Sequence, residues 1–204
     1  AAGNRAMIKP SELTPATSDV TKKMFEAYFD KSEAAVFTGD AEVGAAFSAL
    51  PFDHLLFTGG TQIGKKVMKA ASDNLVPVTL ELGGKSPVIV DENADLSEVA
   101  KKVMRGKTMN AGQICLAPDY LMLPKGKSEE FAKASNEAVS EMFADLKYNE
   151  DYTSVINERH YERINELVSD AKDKGAEVIQ INPADEDFEQ QELHKIPPTL
   201  VLNP

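Results

Sequence analysis

A chain of 204 residues has room for one large domain or two incomplete ones, and a hydrophobic share of 42% predicts a packed core. The formal net charge of −11 argues against a nucleic-acid partner and a polybasic membrane surface, both of which need Lys and Arg in excess. One cysteine permits no internal disulfide, no apolar run approaches a membrane span, and Ala1 to Pro10 lacks a signal-peptide core, so the expected location is the cytoplasm.

Apolar periodicity predicts strands alternating with helices. Arg5 to Lys9 is a short strand, and Val20, Met24, Ala27 and Tyr28 mark one face of the helix that follows. Ala34 to Phe37 reads as a buried strand, followed by a helix with Val43, Ala46, Phe47 and Leu50 on one side. His54 to Phe57 is the next strand, Gly59-Gly60 turns the chain, and Ile63, Val67, Ala70 and Ala71 mark a helix leading to the strand Val78 to Leu82. After Gly83-Gly84, Val88 to Val90 is a strand, and Asp95 with Glu98 fits a capping box for a helix carrying Leu96, Val99, Ala100 and Val103.

Tyr120 to Leu123 is a strand closed by Pro124, and Phe131, Ala138, Met142 and Leu146 mark a long helix. Tyr161, Ile164, Leu167, Val168 and Ala171 mark the last helix, with Gly175 as its stop. Val178 to Ile181 is a short strand, Pro183 to Glu192 an acidic solvated loop, and Thr199 to Leu202 another strand-like run. The alternation implies an α/β fold: parallel open sheets, right-handed crossovers and helices on both faces. Ala1 to Asn4 reads as the tail of a helix ending at Gly3, and both ends read as cut from something longer.

Two segments carry chemistry. In Leu80-Glu81-Leu82-Gly83-Gly84-Lys85-Ser86-Pro87 an acid ends a strand at its carboxyl edge, where open α/β sheets hold ligands. Partial burial there would raise the pKa of Glu81 towards a value useful for a base. In Met109-Asn110-Ala111-Gly112-Gln113-Ile114-Cys115-Leu116-Ala117-Pro118 a Gly-containing bend precedes the lone thiol, so backbone N–H groups could surround its sulfur. Taken singly, a Glu before a turn is most often plain surface and a lone Cys a small buried hydrophobe.

Together, Glu-Leu-Gly-Gly-Lys-Ser-Pro and Gly-Gln-x-Cys resemble the aldehyde dehydrogenase superfamily closely, and the resemblance runs across nearly the whole chain. Phe52-Asp53-His54 and Cys115-Leu116-Ala117-Pro118-Asp119-Tyr120 look most like its class 3 branch, which includes fatty, aromatic and coniferyl aldehyde enzymes. The resemblance implies two partial domains: residues 1–84 from the NAD(P)-binding domain and residues 85–204 from the catalytic domain. It also implies a mechanism. Cys115 would attack an aldehyde, the thiohemiacetal would pass hydride to the nicotinamide, and Glu81 would activate water to hydrolyse the thioester. The oxyanion would be held by the Cys115 backbone N–H and by an Asn side chain that the family places upstream of Lys9. A second Glu, used downstream to hold a ribose, also falls outside the chain, so these residues alone are expected to be inactive. The whole protein would be a homodimer.

Gly59-Gly60-Thr61-Gln62-Ile63-Gly64-Lys65-Lys66 nearly matches a phosphate-binding P-loop but has Lys66 where Ser or Thr should hold magnesium, and G-x-G-x-x-G is absent. What remains is a Gly-rich strand-to-helix turn whose helix N-terminus could face a pyrophosphate. The family binds NAD(P) here, which assigns Gly59, Gly60 and Leu82 to the cofactor. Lys9 and Glu12, in Lys9-Pro10-Ser11-Glu12, would meet the adenosine ribose. A Glu beside ribose hydroxyls repels a 2′-phosphate, so NAD is favoured, although class 3 relatives also accept NADP. His54, His160 and His194 lack Cys or His neighbours, and no metal site is expected.

Overall fold

The computed structural model describes residues 2–189 and 191–202. The chain divides into two compact units, Ala1–Gly83 and Gly84–Pro204. In the first, β1 (Ala6–Ile8), α1 (Pro15–Tyr28) and β2 (Ala34–Val36) form one strand–helix–strand unit. After α2 (Ala41–Ser48), β3 (Leu55–Gly59), α3 (Thr61–Ser72) and β4 (Val78–Leu82) form another. Both strand pairs are parallel, β1 with β2 and β3 with β4. A parallel pair needs a crossover, and the intervening helix supplies it each time.

Asp40 starts α2 by accepting hydrogen bonds from the Glu42 and Val43 backbone N–H groups, 3.0 and 3.1 Å away. That satisfies two donors the helix cannot pair internally. The core of this unit gathers Leu55, Val67, Ala71 and Val76, with Phe47, Phe52, Phe57 and Val78 packed around them. Leu50, read as part of the α2 face, lies past the end of that helix in the turn to β3. The predicted face of α1 is not a core face: Val20, Met24 and Tyr28 are all exposed. Periodicity locates a helix but does not say what covers its apolar stripe.

The second unit opens with β5 (Ser86–Ile89), α4 (Leu96–Thr108) and β6 (Pro118–Met122), again a parallel pair bridged by a helix. It continues through α5 (Ser128–Met142), α6 (Glu158–Asp173), β7 (Glu177–Gln180) and β8 (Thr199–Leu202). Asp95 caps α4 by accepting from the Ser97 and Glu98 N–H groups. Ala100, Val103 and Met104 of α4 bury against Phe131, Ala138 and Val139 of α5, joined by Leu146, Tyr152 and Ile181. Each large side chain so buried stabilises the unit by about 1.5–3 kcal/mol.

Three readings need correction here. β7 and β8 are antiparallel, because no helix intervenes to carry the chain back to the starting edge. Leu146 is fully buried but lies beyond the end of α5, so its apolar character marked a core loop rather than a longer helix. The acidic stretch 183–192 is a loop, yet Glu186 is not merely solvated: its carboxylate accepts from the Leu146 and Lys147 N–H groups at 2.6 and 3.0 Å. Gln190 of that stretch, Ala1 and Asn203-Pro204 lie outside the described residues.

Candidate active site

Glu81 is the penultimate residue of β4, paired with Thr58, while Leu82 pairs with Gly59. Side chains alternate along a strand, so the two pairs face opposite sides. Phe57, Leu80 and Leu82 point to the face covered by α3, where a Cβ on Gly64 would lie 2.9 Å from a Leu82 methyl. Glu81 points the other way and is exposed. The partial burial inferred for it is therefore absent: Glu81 is exposed at the carboxyl edge of the sheet.

Gly59 and Gly60 play different parts at the end of β3. A Cβ on Gly59 would fall 2.5 Å from the Phe57 ring, so any side chain there would have to displace that ring. Gly60 is the N-cap of α3 and supplies no side-chain cap, the first turn contains no acidic residue, and a Cβ there would meet nothing within 4 Å. The start of α3 thus carries neither a side-chain cap nor an acidic side chain, an arrangement that suits an anion.

Beyond β1, Lys9 donates to the Pro10 carbonyl at 2.9 Å and to Glu12 at 2.8 Å, with its stem lying against Gly44 of α2. The hydrogen bond from Lys9 holds the Glu12 carboxyl below its ordinary range, so Glu12 is an anionic acceptor ready for hydroxyl groups.

Cys115 is exposed, which removes the buried-hydrophobe reading. It lies in the return from α4 to β6, at the amino edge of the β5–β6 pair. The backbone enters that turn through three successive left-handed residues: Asn110 and Ala111 at φ 50° and Gly112 at φ 75°. Glycine takes this conformation freely, Asn tolerates it, and Ala pays about 1–2 kcal/mol. Gly84 approaches the turn from the other side, where a Cβ would lie 3.7 Å from the Cys115 carbonyl oxygen.

A register shift between Ser86 and Pro87 leaves Asp119 as an extra residue on β6. This bulge re-aims its side chain, and Lys85 donates to Asp119 at 3.0 Å. Lys107, half-buried, has its pKa lowered by burial; Asp119 opposes that shift and Lys85 adds to it.

The comparisons with known proteins converge. The family described as "Aldehyde dehydrogenase family" matches residues 1–204. The chain belongs to the aldehyde dehydrogenase family. It is 61% identical over 204 residues to a "Probable coniferyl aldehyde dehydrogenase" of Caulobacter vibrioides, covering all of this chain and 42% of that protein. A solved "Substrate bound state of Staphylococcus Aureus AldH" superposes with TM-score 0.85 at 37% identity, over 98% of this chain and 42% of that one. A Staphylococcus aureus betaine aldehyde dehydrogenase in complex with NAD+ gives TM-score 0.81 at 30% identity, over 98% and 41%. The chain thus spans less than half the length of the relatives it matches.

The family resemblance and the α/β fold with parallel pairs were read correctly from the sequence. Gln113 stands in the Gly-Gln-x-Cys motif, which gives no sign of what its side chain holds. Its side chain donates to the Asn110 and Ser154 carbonyls, both at 3.0 Å, and accepts from the Ile156 N–H at 3.0 Å. No local pattern announces partners so far along the chain.

Proposed function

We propose that the protein containing this chain oxidises an aldehyde, an aromatic one such as coniferyl aldehyde, to the carboxylic acid with NAD as cofactor. The observation that carries the reading is the exposed thiol of Cys115, set in a left-handed turn within a chain whose family match runs from end to end. Similarity to a probable coniferyl aldehyde dehydrogenase supports the substrate class, and a solved relative with NAD+ supports the cofactor.

In this reading residues 1–84 are part of the NAD(P)-binding domain and residues 85–204 part of the catalytic domain of a cytoplasmic homodimer. The Cys115 thiolate adds to the aldehyde carbon, and the Cys115 backbone N–H donates to the oxygen that becomes negative. Lys9, Glu12, Gly59, Gly60 and Leu82 would hold NAD, which when bound would accept the hydride leaving the aldehyde carbon, so that the adduct on Cys115 becomes a thioester. NADP is disfavoured because Glu12 repels an added 2′-phosphate. Glu81 takes a proton from the water that attacks the Cys115 thioester, which releases the acid and regenerates the thiol.

The test follows NADH formation from coniferyl aldehyde by the full-length protein. Cys115→Ala should abolish turnover, and Glu81→Gln should lower kcat by about 10²–10⁴-fold, the usual weight of a general base. Undiminished turnover in Cys115→Ala overturns the reading. The 204 residues by themselves should give no turnover, behaving at most as a nucleotide-binding module.

A further inference from the structure

We propose that Gln113 is the positioning residue of the nucleophile turn, a clamp that fixes the backbone around Cys115 by tying it to the segment 154–156. The proposal rests on Cys115 being the nucleophile.

The amide of Gln113 is used almost completely. Both N–H donors of Nε2 are taken, one by the Asn110 carbonyl inside the turn and one by the Ser154 carbonyl outside it. Oε1 accepts from the Ile156 N–H. Turning the amide over would set oxygen against two carbonyls, so one orientation alone satisfies all three. Ser154 and Ile156 are two residues apart, and the amide meets the C=O of one and the N–H of the other as a neighbouring strand would. The backbone of Gln113 reinforces the loop from within: its N–H donates to the Asn110 carbonyl at 3.0 Å, and its own carbonyl accepts from the Asn110 side chain at 3.3 Å.

The receiving segment is itself anchored. The Val155 N–H donates to the His194 carbonyl at 2.9 Å, and the Tyr152 hydroxyl donates to the Ile196 carbonyl at 2.6 Å. The left-handed run Asn110-Ala111-Gly112 is therefore bracketed by a rigid neighbour through one side chain. Two residues beyond Gln113 stands the sulfur. A nucleophile attacks only along a narrow approach, and an error near 1 Å in its placement costs about 10²-fold in rate.

Gln113→Met keeps the length and removes all three bonds. In the full-length protein it should lower kcat by about 10- to 100-fold, the cost of a misplaced reacting group, with KM for NAD unchanged. Amide hydrogen exchange at Ile156, whose residue is otherwise exposed, should accelerate selectively. Val139→Ala, which loosens the core of the same unit without touching the turn or the segment 154–156, serves as the control. The proposal is overturned if Gln113→Met keeps the parent kcat, or if Val139→Ala lowers kcat as much at equal loss of Tm.

Cys115→Ser separates the two failures. Its turnover should vanish; turnover that survives overturns the nucleophile reading and this proposal with it. Wild-type turnover in Gln113→Met beside an inactive Cys115→Ser overturns the clamp alone. Should Gln113→Met not fold, Gln113→Glu keeps the Ile156 bond but opposes a carboxylate to two carbonyls, and should still lower kcat. The unmodified protein gives a last readout: a protected Ile156 amide supports the clamp, and one exchanging at the rate of free chain overturns it.

Discussion

Gly64 of α3 stands against Leu82 of β4 so closely that a Cβ on Gly64 would fall 2.9 Å from a Leu82 methyl. Helix and strand touch where Leu82 is proposed to meet the cofactor. Gly64→Ala removes a helix-interior glycine, which favours folding by about 0.8–1 kcal/mol, but the new methyl must turn the Leu82 side chain aside. The two effects oppose each other in stability and not in binding. Calorimetry on the full-length protein should show Tm almost unchanged while the Kd for NAD rises several-fold. An unchanged Kd would separate Leu82 from the cofactor.

Glu12 sets a second expectation, about cofactor choice. Lys9 holds its carboxyl below the ordinary range. A group with a depressed folded-state pKa keeps its contribution above the unfolded value, about 4.3, and loses it as pH falls through the lower folded value. Glu12 is exposed although the Lys9 side chain is mostly covered, so the pair's share of stability is small. Its effect on selectivity is not: Glu12→Gln should raise the kcat/KM ratio of NADP over NAD by about 10-fold or more, one close charge repulsion removed. In the unmodified protein Glu12 itself should add no pH dependence to that ratio between neutral pH and the usual glutamate range.

Tyr152 gives a stability test with a defined direction. It is buried, its hydroxyl donates to the Ile196 carbonyl, and burial pushes its pKa well above the ordinary value. Tyr152→Phe leaves that carbonyl without its donor and should cost about 1–3 kcal/mol, read as a lower Tm at neutral pH. Because the folded-state value is raised, the contribution is whole below about pH 10 and declines above it, by about 1.4 kcal/mol per pH unit at most. Thermal scans should show Tm falling above pH 10 in the parent, with a shallower fall in Tyr152→Phe.

Ala111 offers the simplest measurement. At φ 50° it bears strain that glycine would not. Ala111→Gly should therefore raise stability slightly or leave it unchanged, the relief of about 1–2 kcal/mol being partly offset by unfolded-chain entropy. Ala111→Val should lower it, since a β-branched residue fits the left-handed region worst. Chemical denaturation of the two variants decides, and a stabilised Val variant would contradict the turn geometry.

Much of this was legible from residues alone, and for reasons that can be named. β4 was located residue for residue because Val78, Leu80 and Leu82 alternate with Thr79 and Glu81 and two glycines close the run. The start of α4 was legible in Asp95, which caps through its own side chain; Asp40 and Asn157 do the same for α2 and α6 but were not singled out by the sequence. What stayed hidden depends on the fold rather than on local pattern. Val20 and Met24 mark a helix face without revealing whether anything lies against it, and the Glu186 carboxylate finds its two N–H partners about 40 residues back along the chain. At the candidate site, residue types were readable from the motifs, but neither the outward turn of Glu81 nor the reach of Gln113 was.

The extra residue on β6 serves one contact and not the faces of the strand. Pairing resumes at Tyr120, with Leu121 opposite Val88 and turned to the core, and with Tyr120 and Met122 outward. Deleting Asp119 would regularise the ladder and leave Leu121 opposite Val88, while removing the carboxylate that Lys85 meets. The strand should therefore survive the loss of that residue, and what would go is the tie between Lys85, just ahead of β5, and the start of β6.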